Sequence, residues 1–325
     1  SCIMEITKEL HDRLELLNAK YQAIGQDLLS YLDGLLYADV TTYWDYIELD
    51  TLLSLQKPKT KFPDEVVFII YHQITELYFK LVLQEFKALG EIEAPTKAHF
   101  IDRVTRINRY FEALVKSFSI MVDGMDRDEF LKFRMSLLPA SGFQSAQYRQ
   151  IEIYSTDFIN LVARDMRSTF DSEASIESMY QQIYWKYGAT EIETGNKTLT
   201  LTQFEEKYEQ AFIALGEHCK SRNLWQVYLN LSKTDQTDEE VIKVLRTNDL
   251  NVNVFWPLAH YKSAVRYLAR KEVDVAATGG TNWQKYLPPK FQKRIFYPSL
   301  WTTEEIDQWG KGWVEDQIRE ILKGA

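Results

Sequence analysis

Apolar residues recur at intervals of three and four along most of this chain, a spacing that predicts helices rather than strands. The clearest stripe of this kind is formed by Phe100, Val104, Ile107, Phe111, Leu114, Val115 and Phe118. Two further stripes cover residues 66–89 and 252–269. Because each stripe is a face that a helix buries against a neighbour, the pattern predicts an all-α fold of several packed helices.

Breaks in the pattern fall at residues 57–64, 138–142, 188–200 and 276–282, where Pro, Gly, Ser, Thr or charged residues cluster. No internal repeat and no flexible interdomain linker is visible in the sequence. We therefore predict one domain over residues 1–325, with a helical insertion at about residues 190–243. Within this insertion, residues 234–238 are typical of a capped helix start, with Thr237 and Glu240 as a capping box.

Composition and charge narrow the class of protein. The 325 residues are 45% hydrophobic, enough for a sizeable core, and 47 acidic against 38 basic residues give a net charge of −9. An acidic chain without a basic, aromatic-rich cluster argues against a nucleic-acid partner. No apolar run reaches the roughly 20 residues of a membrane span. No secretory signal is visible, and two isolated cysteines favour the cytoplasm.

The common catalytic motifs are missing from the sequence. There is no Gly-x-Ser-x-Gly elbow, no phosphate-binding loop that ends in Gly-Lys-Ser or Gly-Lys-Thr, and no Gly-x-Gly-x-x-Gly. No histidine follows a glutamate by three residues and no His-Glu-x-x-His occurs, so di-iron and zinc sites are not indicated. A metal site of several histidines is hard to assemble from five, whereas a haem needs one.

Two histidines lie in apolar helical stretches. His72 follows Phe68 by four residues, so the two side chains share a helix face. Together they could stack on a flat aromatic substrate while the imidazole accepts a hydrogen bond from a ring N–H. His260 lies among aromatic residues, the dry surroundings that an axial haem ligand needs. For each histidine, a structural role in the core is the alternative.

Three polar features of the sequence are further candidates for binding a substrate, an anion or another ligand. Arg134 follows two phenylalanines and could clamp a substrate carboxylate with two parallel hydrogen bonds, a surface or salt-bridged arginine being the alternative. Residues 141–145 could present backbone N–H groups to an anion or only cap the next helix. The turn at residues 278–281 could close over a ligand or be a plain surface loop.

Over most of its length the chain resembles the tryptophan 2,3-dioxygenases. The resemblance rests on motifs in one order along the chain: Tyr43-Trp-Asp-Tyr46-Ile-Glu-Leu-Asp50, Phe68-Ile-Ile-Tyr-His72-Gln73, Phe133-Arg134, Ser141-Gly-Phe-Gln-Ser145, His260 with Arg266, Thr278-Gly-Gly280 and Tyr297-Pro-Ser-Leu-Trp301. It implies an all-helical oxidoreductase that cleaves the indole C2–C3 bond of L-tryptophan with O2 to give N-formyl-L-kynurenine, a reaction of tryptophan catabolism in the kynurenine pathway. It further implies a homotetramer, a dimer of dimers, with one haem b (iron protoporphyrin IX) per subunit.

The resemblance also implies roles for individual residues around the haem. His260 is expected to be the proximal ligand of the haem iron. Ser141 and Gly142 are expected to line the haem edge.

On the substrate side, the resemblance implies that His72 is the catalytic residue near the indole N–H and that Phe68 packs on the indole ring. Arg134 is expected to hold the substrate carboxylate, with Thr278 at the amino acid head group. The remaining expected substrate contacts are Phe130, Leu137 and, from the N-terminal arm (residues 1–50) of a neighbouring subunit, Tyr43, Tyr46 and Ile47.

Three departures from the family pattern bear on the substrate. Phe130 stands where the family usually has a tyrosine, so a phenol hydrogen bond is lost, and Tyr78 replaces a tryptophan. The stretch between His260 and Thr278 contains extra residues. Two alternatives therefore stay open: a related haem enzyme that oxygenates another indole or a phenol, and a haem-binding sensor or carrier without turnover.

Overall fold

The computed structural model describes residues 6–38, 41–137, 142–190, 196–268 and 293–311. Two compact units divide the chain, Ser1–Leu55 and Gln56–Ala325. Among the described residues, the regular elements are helices and there is no strand, which confirms the predicted all-α fold. The single domain over residues 1–325 and the status of residues 190–243 as an insertion stay predictions.

The first unit consists of short helices with polar caps. Its helices are α1 (Lys8–Gln22), α2 (Leu28–Tyr37), α3 (Tyr43–Tyr46) and α4 (Leu49–Leu53). The side chains of Thr7, Asp27 and Thr42 accept backbone N–H groups at the starts of α1, α2 and α3, which satisfies donors that a helix leaves unpaired. Tyr21 and Tyr31 stack with their ring centroids 4.2 Å apart and thereby join α1 to α2.

The second unit contains the main core. Its helices are α5 (Asp64–Gly90), α6 (Lys97–Ser117), α7 (Ser119–Asp123), α8 (Arg127–Phe133), α9 (Ala146–Ser155), α10 (Ile176–Tyr180), α11 (Tyr184–Gly188), α12 (Leu199–Cys219), α13 (Leu224–Leu229), α14 (Lys233–Gln236), α15 (Glu239–Leu250), α16 (Trp256–Leu268) and α17 (Thr303–Asp307). Short 3-10 helices cover Arg134–Leu137, Gly142–Gln144, Phe158–Leu161, Arg164–Thr169 and Pro298–Leu300. The breaks predicted at residues 57–64 and 188–200 are confirmed, since each precedes or separates helices.

The predicted stripe on residues 100–118 forms the buried face of α6. Its members Phe100, Val104, Ile107, Phe111 and Leu114 are 0% exposed and pack against α5, α15 and α16. The side chain of Thr96 caps the start of this helix by accepting the N–H of His99. Full burial of five large apolar side chains at helical spacing makes α6 the central helix of the core.

Helix α5 is long and apolar enough to pass a length-and-composition test for a membrane span. Core helices of water-soluble proteins pass the same test. In this structure α5 packs against α6 and α9 and buries two glutamates, Glu65 and Glu85, together with apolar residues. One face of α5 therefore belongs to the core, while Ile70, Leu77 and Leu81 are 40%, 50% and 46% exposed.

Two local predictions hold only in part. The stripe on residues 252–269 is helical as predicted up to residue 268, but its first residues belong to a π-turn, Asn251–Phe255, between α15 and α16. The cap of α15 is Asp238, whose side chain accepts the N–H groups of Glu240 and Val241. Asp238 belongs to the predicted capped start at residues 234–238, so that prediction is confirmed to this extent. Thr237 does not form the predicted capping box, because it ends α14 and its hydroxyl donates to a carbonyl of that helix.

Candidate active site

The two candidate histidines lie on α5 and α16 and are held in the same way. Nδ1 of His72 lies 2.7 Å from the carbonyl oxygen of Phe68, and Nδ1 of His260 lies 3.2 Å from that of Trp256. Since a carbonyl oxygen only accepts, each Nδ1 carries the proton and donates it to the turn before. Each neutral ring therefore keeps its lone pair on Nε2, the atom that can bind iron or accept a hydrogen bond.

Burial keeps both imidazoles neutral. It lowers the pKa of His260 from 6.5 to about 4, and a charge on His72 would lower the pKa of His260 further. Burial also lowers the pKa of His72. Solvent reaches the His72 side chain, but protein atoms surround it closely enough to lower its pKa.

Aromatic side chains enclose the ring of His260. Trp256 meets it edge-on at a centroid distance of 4.5 Å, and Phe118 lies 4.6 Å from it. Phe118 also contacts Tyr71, the residue before His72, at 5.5 Å. Phe118 thus links the surroundings of the two histidines and keeps water from the His260 side.

A second aromatic group surrounds Phe68. The rings of Phe68 and His72 are 4.1 Å apart, which confirms that they share one face of α5. Phe68 also contacts Phe130 at 6.2 Å and Phe133 at 5.8 Å, and Phe130 contacts Tyr267 of α16 at 4.8 Å. This group supplies a flat, apolar wall beside one polar atom, Nε2 of His72, which suits an aromatic ring that carries an N–H.

Arg134 follows directly after Phe133 of this wall. Its side chain is 6% exposed, and burial lowers the pKa of its guanidinium. A buried guanidinium is costly to desolvate, and a carboxylate that accepts two of its N–H groups would offset that cost. Leu137, three residues on, is half-buried and packs against the core.

Several predicted site residues cannot be placed beside the histidines. Ser141 and Thr278 lie outside the described residues. Gly142 opens a 3-10 helix, and a Cβ added to it would meet no atom within 4 Å. Tyr43 and Tyr46 belong to the first unit, where their side chains are 71% and 79% exposed. Ile47 of the same unit is half-buried.

Three further aromatic residues, Phe118, Phe133 and Tyr267, contact the candidate site residues although no site role was predicted for them from the sequence. Phe118 was visible only as the last member of the α6 stripe, where packing explains it. Tyr267 follows His260 by seven residues, a spacing that places both on one helix face and could have indicated a shared environment. Contacts between helices, rather than any motif, bring these rings together.

A separate recess of about 440 Å³ lies between α9, α10, α12 and α13. Its lining includes Asp157, Phe158, Gly216, Cys219 and Asn223. None of the predicted site residues lines this recess, so it is distinct from the site of the two histidines.

Comparison with known proteins points to one family. The family model for tryptophan 2,3-dioxygenase matches residues 36–179, a span that includes His72 and Arg134. The tryptophan 2,3-dioxygenase of Ruegeria sp. strain TM1040 is 29% identical over 273 residues, 82% of this chain and 92% of the relative. That of Bacillus thuringiensis subsp. konkukian is 28% identical over 271 residues (80% and 90%), and that of Bordetella parapertussis is 26% identical over 293 residues (86% and 95%).

Proposed function

We propose that this chain, which is similar to tryptophan 2,3-dioxygenases over most of its length, is a member of that family and cleaves the indole C2–C3 bond of L-tryptophan with O2 to give N-formyl-L-kynurenine. The observation that carries the proposal is the pair of neutral histidines, His72 and His260, each with its Nε2 lone pair available. We propose a cytoplasmic location as well, a setting that suits the free, buried thiol of Cys219.

The surroundings of His260 fit one haem b per subunit. A neutral imidazole whose Nδ1 donates to a backbone carbonyl is the usual form of an axial ligand, because that hydrogen bond orients the ring and raises the basicity of Nε2. Trp256 and Phe118 supply the apolar surroundings that a porphyrin requires. Ser141 and Gly142 are proposed to line the haem edge, and the open space beside Gly142 is compatible with that role. When bound, the haem would supply the site at which O2 is activated.

The protein's own residues would bind and orient tryptophan. In this proposal Nε2 of His72 accepts the indole N–H, and the indole ring packs on Phe68. Arg134 holds the carboxylate, with Thr278 at the amino acid head group. The remaining apolar contacts come from Phe130 and Leu137. Holding the reacting atoms in one geometry can lower a barrier by up to about 7–11 kcal/mol, so orientation would be the main contribution of these side chains.

We also propose that the chain forms a homotetramer in which the N-terminal arm, residues 1–50, reaches the site of a neighbouring subunit through Tyr43, Tyr46 and Ile47. The exposure of apolar side chains in the first unit supports this proposal. Leu36 and Tyr37 are 80% and 85% exposed, and an apolar surface of this kind is typical of one that a partner covers. Sedimentation of the purified protein would test the tetramer.

One alternative has a specific observation in its favour. Phe130 contacts Phe68 and Tyr267 but offers no hydroxyl to the site, so a substrate other than tryptophan, another indole or a phenol, could be oxygenated there. A haem-binding sensor or carrier is the second alternative, and it would need no carboxylate clamp.

The decisive experiment is turnover by the purified haem-loaded protein. After reduction, addition of L-tryptophan and air should produce N-formylkynurenine. Haem binding with product from another indole or phenol would favour the first alternative. Haem binding without any turnover would favour the sensor or carrier, and a protein that takes up no haem would refute the proposal.

The carboxylate clamp is tested by Arg134→Lys, which keeps the charge but loses the planar pair of donors. We expect the KM for L-tryptophan to rise by about tenfold or more, because a charge-assisted bidentate contact contributes on the order of 1.5–3 kcal/mol. The matched control is Arg127→Lys in the first turn of α8, which should leave KM unchanged. Equal effects of the two substitutions would remove Arg134 from the site.

A further inference from the structure

The helix that carries His260 contains an irregular turn just before it. Between α15 and α16, residues Asn251–Phe255 form a π-turn in which the N–H of Trp256 donates to the carbonyl of Asn251, five residues back. Such turns are rare and occur mostly as single insertions in α-helices, frequently at functional sites. This one therefore requires a physical cause.

Pro257 is part of the reason for this irregular turn, because it has no backbone N–H to donate. In a π-turn the N–H of residue 257 would donate to the carbonyl of Val252, but proline has no N–H. The buried Val252 carbonyl instead accepts the hydroxyl of Tyr148 at 3.1 Å and Nη2 of Arg294 at 3.2 Å. Two side chains from distant parts of the sequence thus replace the missing backbone donor.

Arg294 contacts the π-turn at a second point. Its Nε donates to the side-chain oxygen of Asn253, whose amide in turn donates to Asp249 at 2.6 Å. Its Nη1 donates to Glu152 at 2.6 Å, which holds the guanidinium in place. Arg294, Glu152 and Asn253 are 6%, 0% and 2% exposed, so this arrangement is enclosed by protein.

Arg149 belongs to the same buried group but has different hydrogen-bond partners. Its Nη1 donates to both oxygens of Glu152 and to the hydroxyl of Tyr184. Its Nε donates to the carbonyl of Phe143 rather than to the π-turn. Arg149 and Arg294 therefore both pair with the buried carboxylate of Glu152 and each carries a buried positive charge. Only Arg294 is also hydrogen-bonded to Val252 and Asn253.

We propose that Arg294 is a positioning residue for His260, acting through the π-turn. Each residue of a helix turns the chain by about 100°, so the extra residue of a π-turn determines which way every later side chain points. Without the donors to Val252 and Asn253 the turn would lose the hydrogen bonds that fix its geometry, and the His260 ring would rotate away from Phe118. The inference rests on the proposed role of His260 as haem ligand.

The test compares Arg294→Met with Arg149→Met, since both remove one buried positive charge from Glu152. In the haem-loaded ferrous protein, we expect Arg294→Met to shift or abolish the iron–histidine stretching band in the resonance Raman spectrum and to weaken haem binding by about tenfold or more. In the haem-free protein, amide hydrogen exchange of residues 251–260 should accelerate more in Arg294→Met than in Arg149→Met.

The outcomes separate the inference from the proposed function. A wild-type protein that binds no haem refutes the proposed function and this inference with it. Suppose that the wild type binds haem but Arg294→Met leaves the iron–histidine band and the amide hydrogen exchange unchanged, or that both substitutions change them equally. The positioning role would then be wrong, while the proposed function would stand. Should Arg294→Met not fold, Tyr148→Phe removes the other donor to Val252 at nearly constant volume and is expected to shift the band in the same way.

Discussion

Two titratable groups on consecutive helices, Asp249 on α15 and the candidate haem ligand His260 on α16, should respond to pH in opposite directions. The pKa of His260 is lowered by burial from 6.5 to about 4, whereas that of Asp249 is raised by burial from 3.8 to about 6. As the pH falls, His260 is protonated at a higher pH in the unfolded chain than in the folded protein. Asp249 is protonated at a higher pH in the folded protein than in the unfolded chain. His260 therefore lowers the free energy of unfolding between pH 6.5 and 4, and Asp249 raises it between pH 6 and 3.8.

The magnitudes follow from about 1.4 kcal/mol for each pKa unit. Between pH 7 and pH 5, His260 should lower the free energy of unfolding of the haem-free protein by about 2 kcal/mol, and Asp249 should raise it by about 1 kcal/mol. His260→Gln should thus reduce the loss of stability on acidification by about 2 kcal/mol, and Asp249→Asn should increase it by about 1 kcal/mol. Each substitution changes stability at pH 7 as well, so the pH dependence is the quantity to compare.

The assay is urea unfolding of the haem-free protein at several pH values between 7 and 5, followed by circular dichroism. His218→Gln, which alters an exposed residue at the end of α12, is the matched control for loss of a histidine. If His260→Gln and His218→Gln change the pH dependence equally, burial of His260 does not act as reasoned here. A smaller loss on acidification in Asp249→Asn would contradict the sign assigned to Asp249.

Other substitutions test the packing of the fold. Glu152→Gln should lower the free energy of unfolding by about 3–5 kcal/mol, because it leaves two buried arginines without their shared carboxylate. Urea unfolding measures this change, and a loss below about 1 kcal/mol would contradict the prediction. Gly216→Ala should cost about 1–3 kcal/mol, since its Cβ would come within 2.5 Å of Ile176, whereas Gly90→Ala, with no atom within 4 Å, should change stability by no more than about 1 kcal/mol. Burial raises the pKa of Cys219 to about 12, so its thiol should react with a disulfide reagent at pH 8 only after unfolding, and rapid reaction of the folded protein would refute that environment.

Local features of the sequence were sufficient to predict much of the helical structure. The stripes on residues 66–89 and 100–118 correspond to α5 and α6, because a helix side chain repeats its direction every three to four residues whatever lies beyond it. The shared face of Phe68 and His72 follows from the same spacing. The cap of α15 was misassigned because Thr237 and Asp238 are both good capping residues, and only the end of α14 decides between them.

The contacts of the candidate site were less predictable. Motifs singled out His72, Arg134 and His260, but not the way in which Phe118 lies between the surroundings of the two histidines. That contact depends on how α5, α6 and α16 pack against one another. Periodicity states which face of a helix is buried and does not state which neighbour covers it.

The sequence by itself determined that this chain is helical, where its principal helices lie and which histidines are candidates for chemistry, since each of these depends on residues within a few turns of one another. Only the tertiary structure shows that the protein around the two imidazoles lowers their pKa values, and that Arg294 and Tyr148 donate to the carbonyl for which Pro257 has no N–H. The physical reason is that hydrogen bonds of this kind join residues 104 and 42 positions apart, and no local pattern records which distant group will satisfy a given carbonyl.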